Sequence, residues 1–282
     1  MSISRNQWLI EARQRLRQSP SPNIDAMVIL SNITGLTQSQ VMARLDEAIP
    51  KPQLEQLDTL LQRRALEEPI AYITGTREFW SLELIVTPAT LIPRADTETL
   101  VEQTLEKIPT EAEWTLADLG TGSGAIALAI ARERPRCQII ATDISQDAIE
   151  VASQNATAHG ISNIRFRQGS WYLPLQHQRM NLIVCNPPYI RQDDPHLQQG
   201  DVQHEPFAAL AAGKDGMDAL RMIIEDAPRH LQPGGWLLLE HGYNQGAAVK
   251  KLFMQAGFEA LHCQADLANH DRVSLGRTAL SL

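Results

Sequence analysis

Two stretches of this 282-residue chain, and two single residues near them, have types and spacing that could do chemistry. Asp118-Leu-Gly120-Thr121-Gly122-Ser123-Gly124 follows an apolar run of strand length and opens an apolar run of helical length. Glycines suit a tight turn whose backbone must come close to a ligand. The spacing is GxGxG, not the GxGxxG of dinucleotide folds, and no Lys-Ser/Thr follows, which excludes a phosphate-binding P-loop. Asp143 ends the next strand, nineteen residues after Gly124. A carboxylate there can accept hydrogen bonds from both hydroxyls of a ribose. Glycines alone would do no more than pack a helix on its strand. With the acid in register, they fit a nucleoside cofactor without phosphate, of which S-adenosylmethionine is the common one.

Gly169-Ser170-Trp171 stands where a third strand should end. An indole there either stacks on a flat ring such as adenine or fills the half-buried edge of the core. The second stretch is Asn181-Leu-Ile-Val-Cys-Asn186-Pro187-Pro188-Tyr189. A strand runs into Asn186, and two prolines then hold the backbone extended and remove its N–H donors. Such a loop presents carbonyl oxygens and the Asn amide in fixed directions. A planar –NH2 group can donate one hydrogen bond to the Asn186 side-chain oxygen and another to the Pro187 carbonyl, with Tyr189 against its flat face. This would hold a weakly nucleophilic nitrogen in line with a methyl sulfonium, with rate coming from position and electrostatics. No strong base is required, because the proton can leave after the methyl arrives.

These residues need a frame. Strand-length runs at Trp114–Leu119, Gln138–Thr142, Asn181–Cys185 and Trp236–Glu240 alternate with helical patterns, as in a doubly wound parallel α/β sheet. Runs near Phe258–Cys263 and Val273–Gly276 predict an antiparallel edge. Ahead of them, Gly75 to Pro93 alternates as a hairpin does, and a helix follows, capped near Asp96 or Thr97. The first seventy residues read as four short amphipathic helices. Trp8, Leu9, Ala12 and Leu16 lie on one face, Met27, Ile29, Leu30 and Ile33 on the next, Val41 and Leu45 follow a Thr37/Gln40 capping box, and Leu54, Leu57, Leu60 and Leu61 follow Pro52.

The pattern resembles the class I S-adenosylmethionine-dependent methyltransferases, a Rossmann-like fold. Within them it is similar to the HemK/PrmC family, the release factor glutamine N5-methyltransferases. The resemblance covers nearly the whole chain and includes Glu68-Pro-Ile-Ala-Tyr-Ile-Thr-Gly75, Glu78-Phe-Trp, Leu91-Ile-Pro-Arg-Ala-Asp-Thr-Glu98, Glu205-Pro206 with Ala209-Leu210, Leu238-Leu-Glu-His-Gly242 and Arg272-Val-Ser-Leu-Gly276. Ser123 and Ala95 stand where Thr and Pro are usual, and neither change removes a needed group. The resemblance implies that Gly120, Thr121, Gly122, Ser123, Gly124 and Asp143 hold the cofactor, with Trp171 at its adenine and Asn186 alongside. It implies that Asn186, Pro187, Pro188 and Tyr189 bind a glutamine, with Asn186, Pro187 and Tyr189 catalytic. The implied substrate is the Gly-Gly-Gln tripeptide of class I peptide-chain release factors. Residues 1–72 would then be a helical substrate-docking domain, 73–95 a hairpin connector and 96–282 the methyltransferase domain.

Composition narrows the alternatives. An exocyclic adenine amine needs the same two acceptors, so an N6-adenine nucleic-acid methyltransferase is the chief rival. Charge separates the two. Residues 1–75 carry eight cations and eight anions, so the whole net charge of −8 falls on residues 76–282. An enzyme gripping duplex nucleic acid needs a cationic face and a way to flip the base. The acidic half therefore favours a protein partner over a nucleic acid. Eight scattered histidines offer no metal-ligand spacing, and no GxSxG supports a hydrolase. Cys137, Cys185 and Cys263 are far apart and fit reduced thiols in a cytoplasm. No signal peptide is visible, and no apolar run approaches the roughly 20 residues that span a bilayer.

Overall fold

The computed structural model describes residues 3–176 and 178–280. The chain forms two compact units. One takes the chain up to Thr76 together with Gln198–His204, and the other takes Arg77–Leu197 and the chain from Glu205 onward. The division is thus not a single cut, because a short later segment belongs with the helical unit.

That first unit holds α1 (Arg5–Arg15), α2 (Pro22–Thr34), α3 (Gln38–Met42), α4 (Lys51–Ala65) and α5 (Ile70–Thr74). Capping boxes start α1 at Ser4/Gln7 and α3 at Thr37/Gln40, and left-handed Gly35 and Gly75 stop α2 and α5. Trp8, Leu9, Ala12 and Leu16 bury against Met27, Ile29, Leu30, Val41, Leu57 and Leu61. Each large side chain so removed from water contributes about 1.5–3 kcal/mol.

A charged group is buried beside this core. Arg64 of α4 meets Asp25 at 2.7 Å and Asp201 at 2.8 Å, with the Arg64 and Asp25 side chains only 5% and 3% exposed. Ser19 and Ser21 donate further hydrogen bonds to Asp25 at 2.6 and 2.9 Å. Asp201 lies in the later segment, so Arg64 fastens that segment to the helices. Removing one member of a buried ion pair strands the other's charge. Arg64→Met should therefore cost about 3–5 kcal/mol in urea unfolding at neutral pH; a loss below about 1 kcal/mol would contradict the fastening role.

The second unit takes β1 (Thr76–Phe79) from its second residue on; β1 and β2 (Leu82–Ile85) make the hairpin, and a single tight turn at Ala95–Thr97 leads into α6 (Glu98–Lys107). Then follow β3 (Thr115–Leu119), α7 (Ala125–Glu133), β4 (Gln138–Asp143), α8 (Gln146–Ala158), β5 (Ile164–Gln168) and β6 (Met180–Cys185). The chain closes with α9 (Asp218–His230), β7 (Leu231–Glu240), α10 (Gly246–Gln255), β8 (Glu259–Ala265) and β9 (Asp271–Arg277). The seven-stranded sheet runs β5-β4-β3-β6-β7-β9-β8, parallel through β7, with β9 and β8 antiparallel.

Both faces of the sheet are covered. Leu116, Ile139, Leu182, Val184 and Leu238 pack with α7 on one side, while Leu119, Ile140, Ile183, Cys185 and Leu239 pack with α9 and α10 on the other. Central strands buried on both faces read as unbroken apolar runs, which is why four of them stand out in the sequence. β5 does not, because as an edge strand it has only β4 beside it and its Ile-Arg-Phe-Arg-Gln alternates. The strand order reverses between β3 and β6, and in such sheets the crevice beyond the carboxyl ends at that point is the ligand site.

Candidate active site

The two motifs leave the sheet at that crevice. Leu119 is paired with Cys185, so Gly120 and Asn186 emerge together from adjacent strand ends, and the Cys185 thiol bonds the Leu119 carbonyl at 2.8 Å.

The glycine turn follows β3 directly. Gly120, Gly122 and Gly124 all have left-handed φ, at 72°, 55° and 86°. The Gly120 and Thr121 N–H groups donate to the Thr142 carbonyl at 2.8 and 2.9 Å, which ties the turn to the end of β4. A side chain at Gly124 would press on Ala152 and Leu128 at 3.1 Å, so this glycine lets α7 and α8 approach. A side chain at Gly122 would meet nothing within 4 Å, so the turn opens there onto free space.

Asp143 accepts the Gly122 N–H on Oδ2 and the Ser145 N–H on Oδ1, both at 2.9 Å. A carboxylate has about four acceptor positions, so one on each oxygen remains for a pair of hydroxyls. The Trp171 ring lies over Gly120, 3.4 Å from where a Cβ would stand, and the residue is half-buried at the rim of the core. Glycine turn, carboxylate and indole thus converge, and their donor set fits a nucleoside cofactor without phosphate.

Asp118 sits beneath the turn, fully buried. Thr121 donates to its Oδ2 at 2.6 Å, and its Oδ1 has no partner among the described residues. Burial, with a smaller push from the Asp143 charge, raises its pKa to about 7.

Around the second motif, Asn186 donates from Nδ2 to Thr97 Oγ1 at 3.1 Å, which leaves Oδ1 free to accept. Tyr189 donates its hydroxyl to Glu240 Oε1 at 3.1 Å. Burial, and then the Glu240 charge, raise the Tyr189 pKa, so the phenol stays protonated. The far end of the loop is held by its backbone. Gln245 donates to the Tyr189 carbonyl at 3.0 Å, and Ile190 exchanges backbone hydrogen bonds with Leu210 and Ala212 at 2.9 Å each. Gly216 backs the same carbonyl so closely that a Cβ would stand 2.3 Å from it.

Glu205 and Glu240 now have places. Glu205 is a loop tie: it accepts the Ile92 N–H at 3.2 Å and pairs with Arg94. Glu240 ends β7 beside the site, and its charge faces Arg272, itself paired with Asp266 at 2.9 Å and Asp96 at 3.3 Å. His241 is a buried structural group, bonded to Ser274 at 2.8 Å, with its pKa lowered by burial. The sequence places the cap of α6 near Asp96 or Thr97, and Thr97 is the residue directly before it. Its side chain makes no capping bond and meets Asn186 instead. No group of three or more metal-ligating side chains occurs among the described residues.

The sheet order and the glycine turn at its reversal define the class I methyltransferase fold. Residues 7–75 match the PrmC N-terminal domain and residues 95–209 the methyltransferase small domain. Over 254 residues the chain is 50% identical to the release factor glutamine methyltransferase of Xylella fastidiosa, covering 90% of this chain and 92% of that one. It is 49% identical over 270 residues to the Escherichia coli enzyme of the same name, covering 96% and 97%. A solved methyltransferase from Pyrococcus furiosus, at 17% identity, has the same fold over 79% of this chain and 99% of its own, with a TM-score of 0.55. This chain belongs to the release factor glutamine methyltransferase family.

The Asp118 carboxyl yields a prediction. Its pKa rises from 3.8 in the open chain to about 7 when folded. The folded protein therefore holds a proton that the unfolded chain has lost, and the cost to stability grows across that interval and is constant above it. Asp118→Asn carries no such cost. Its melting temperature relative to the parent should climb between pH 4 and pH 7 and then level off. A pH-independent difference would show that this carboxyl is not buried as described.

Proposed function

We propose that this protein transfers the methyl group of S-adenosyl-L-methionine to the side-chain amide nitrogen, N5, of the glutamine in the Gly-Gly-Gln motif of class I peptide-chain release factors. The observation that carries the reading is the Asn186 amide. Its Nδ2 is spent on Thr97, so Oδ1 stands as an acceptor at the mouth of a rigid two-proline loop. Relatives of about half-identical sequence over nearly their whole length support the substrate.

In this reading Asp143 holds the ribose, the Gly120–Gly124 turn lies along the cofactor, and Trp171 covers the adenine. S-adenosylmethionine supplies an electrophilic methyl on a sulfonium sulfur. Asn186 Oδ1 and the Pro187 carbonyl accept the two N–H groups of the substrate amide and fix the nitrogen's direction. Pro188 keeps the loop extended, and the Tyr189 ring walls the planar group. Protonated Tyr189 is no base, and none is needed, since the extra proton becomes acidic once nitrogen carries the methyl. The helical unit serves as the docking body for the release factor. The work falls in the cytoplasm, where free thiols at Cys137, Cys185 and Cys263 persist. No helix among the described residues is long and apolar enough to cross a membrane.

Two variants separate the halves of the site. Asn186→Ala should lower kcat/KM for release factor by roughly 10²–10³, as loss of one oriented polar contact at a reacting group does. It should retain measurable cofactor binding. Asp143→Ala should weaken cofactor binding by calorimetry roughly 10- to 100-fold, the worth of hydrogen bonds to a charged group. Unchanged turnover in the first, or unchanged affinity in the second, would remove that residue from its role.

A further inference from the structure

The chain has five Trp, four Tyr and five Phe, and of these only Phe207 and Tyr243 are exposed, at 60% and 65%. Every other one is buried or half-buried. The two share a place in the fold. Strands β6 and β7 are neighbours, with Cys185 paired to Leu239, and each of the two aromatics stands on the loop that leaves the carboxyl end of one of them. Both loops are hydrogen-bonded to the far end of the amide-binding segment. The Phe207 carbonyl accepts the Leu210 and Ala211 N–H groups at 3.1 and 2.9 Å, which closes a tight turn over Phe207–Ala209. The Leu210 carbonyl then accepts the Ile190 N–H at 2.9 Å. On the other loop, Gln245 accepts the Gly242 N–H at 2.8 Å and donates to the Tyr189 carbonyl at 3.0 Å. Tyr243 lies between Gly242 and Gln245 in the chain, with its ring centroid 5.7 Å from that of His270. Both rings thus stand on backbone that is already ordered, so a partner meets them at little entropic cost.

Neither ring serves the core. A ring left in water adds little to folding, whereas aromatic side chains are among those most enriched where two proteins bury surface against each other. The crevice has to admit a glutamine that is carried on a protein. Whatever brings that side chain to Asn186 therefore also meets the loops joined to Tyr189 and Ile190. Resting on the function given above, we propose that Phe207 and Tyr243 are the anchors of a docking surface for the release factor, gripping it beside its Gly-Gly-Gln glutamine. This surface belongs to the sheet-bearing unit and acts in addition to the helical one.

The test compares Phe207→Ala, Tyr243→Ala and the double variant in the full-length protein. It measures kcat and KM on release factor, cofactor affinity by calorimetry, and molecular mass by sedimentation. Each single variant should raise KM roughly five- to thirtyfold, the usual cost of truncating an interface anchor. Turnover at saturation and cofactor affinity should stay within about twofold of the parent, and the melting temperature should hold, because both side chains face solvent. Phe207→Leu keeps an apolar side chain and should lose less than Phe207→Ala. A double variant with the parent's KM, or a loss confined to kcat or to cofactor affinity, would overturn the proposal. So would a parent dimer that the double variant splits, since a second copy of this chain would then be the occupant. Failure of the underlying function looks different, because the parent protein would then not methylate release factor at all.

Discussion

Two parallel strands, β3 and β6, lie side by side with Leu119 opposite Cys185, although the chain visits β4 and β5 on the far side before β6 forms. That pairing brings a cofactor turn and an amide-binding loop, sixty-six residues apart, out of the sheet at one place. A register slip in β6 would turn its side chains to the opposite faces and move Asn186 along the crevice. Tight packing on both faces forbids it, since Leu182 and Val184 serve one core and Ile183 and Cys185 the other. The precision of the site is thus inherited from ordinary hydrophobic burial, without strain in the Asn186–Tyr189 loop.

Polar groups then decide what the crevice can do. Three acids lie buried, Asp118 and Glu240 at strand ends and Glu205 in a loop, and each has a different environment. Asp118 has one hydroxyl donor and no cation, and its pKa rises to about 7. Glu205 has a guanidinium and a backbone N–H, so it is a brace. Glu240 has the Tyr189 phenol on Oε1 and the Arg272 charge nearby, and burial pushes its pKa up. Desolvation alone would make all three alike; their partners separate them.

Much of this was legible in the sequence where local rules sufficed. The central strands show as apolar runs because both their faces are buried, and the glycine turn with Asp143 shows as a spacing. The capping box at Thr37/Gln40 and the two-proline turn are likewise local chemistry. What was not legible depends on partners far along the chain. Thr97 looks like a helix cap because nothing nearby reveals Asn186, eighty-nine positions away. Tyr189 meets Glu240 across fifty-one positions, and Arg94 meets Glu205 across one hundred and eleven. Reading Gln198–His204 into the helical unit would have required pairing Asp201 with Arg64, and no sequence rule couples those positions. One signal was available: a lone carboxylate ending an apolar strand, as Glu240 does, stands at the edge where such sheets bind ligands.

The central claim is that the crevice delivers a methyl group to a side-chain amide held by Asn186 and Pro187. Incubating purified release factor with isotopically labelled S-adenosylmethionine and this protein, then fragmenting the Gly-Gly-Gln peptide by mass spectrometry, tests it most directly. The account predicts a single labelled methyl on the glutamine side-chain nitrogen. Label on another residue, or on added nucleic acid and not on the glutamine, would contradict it.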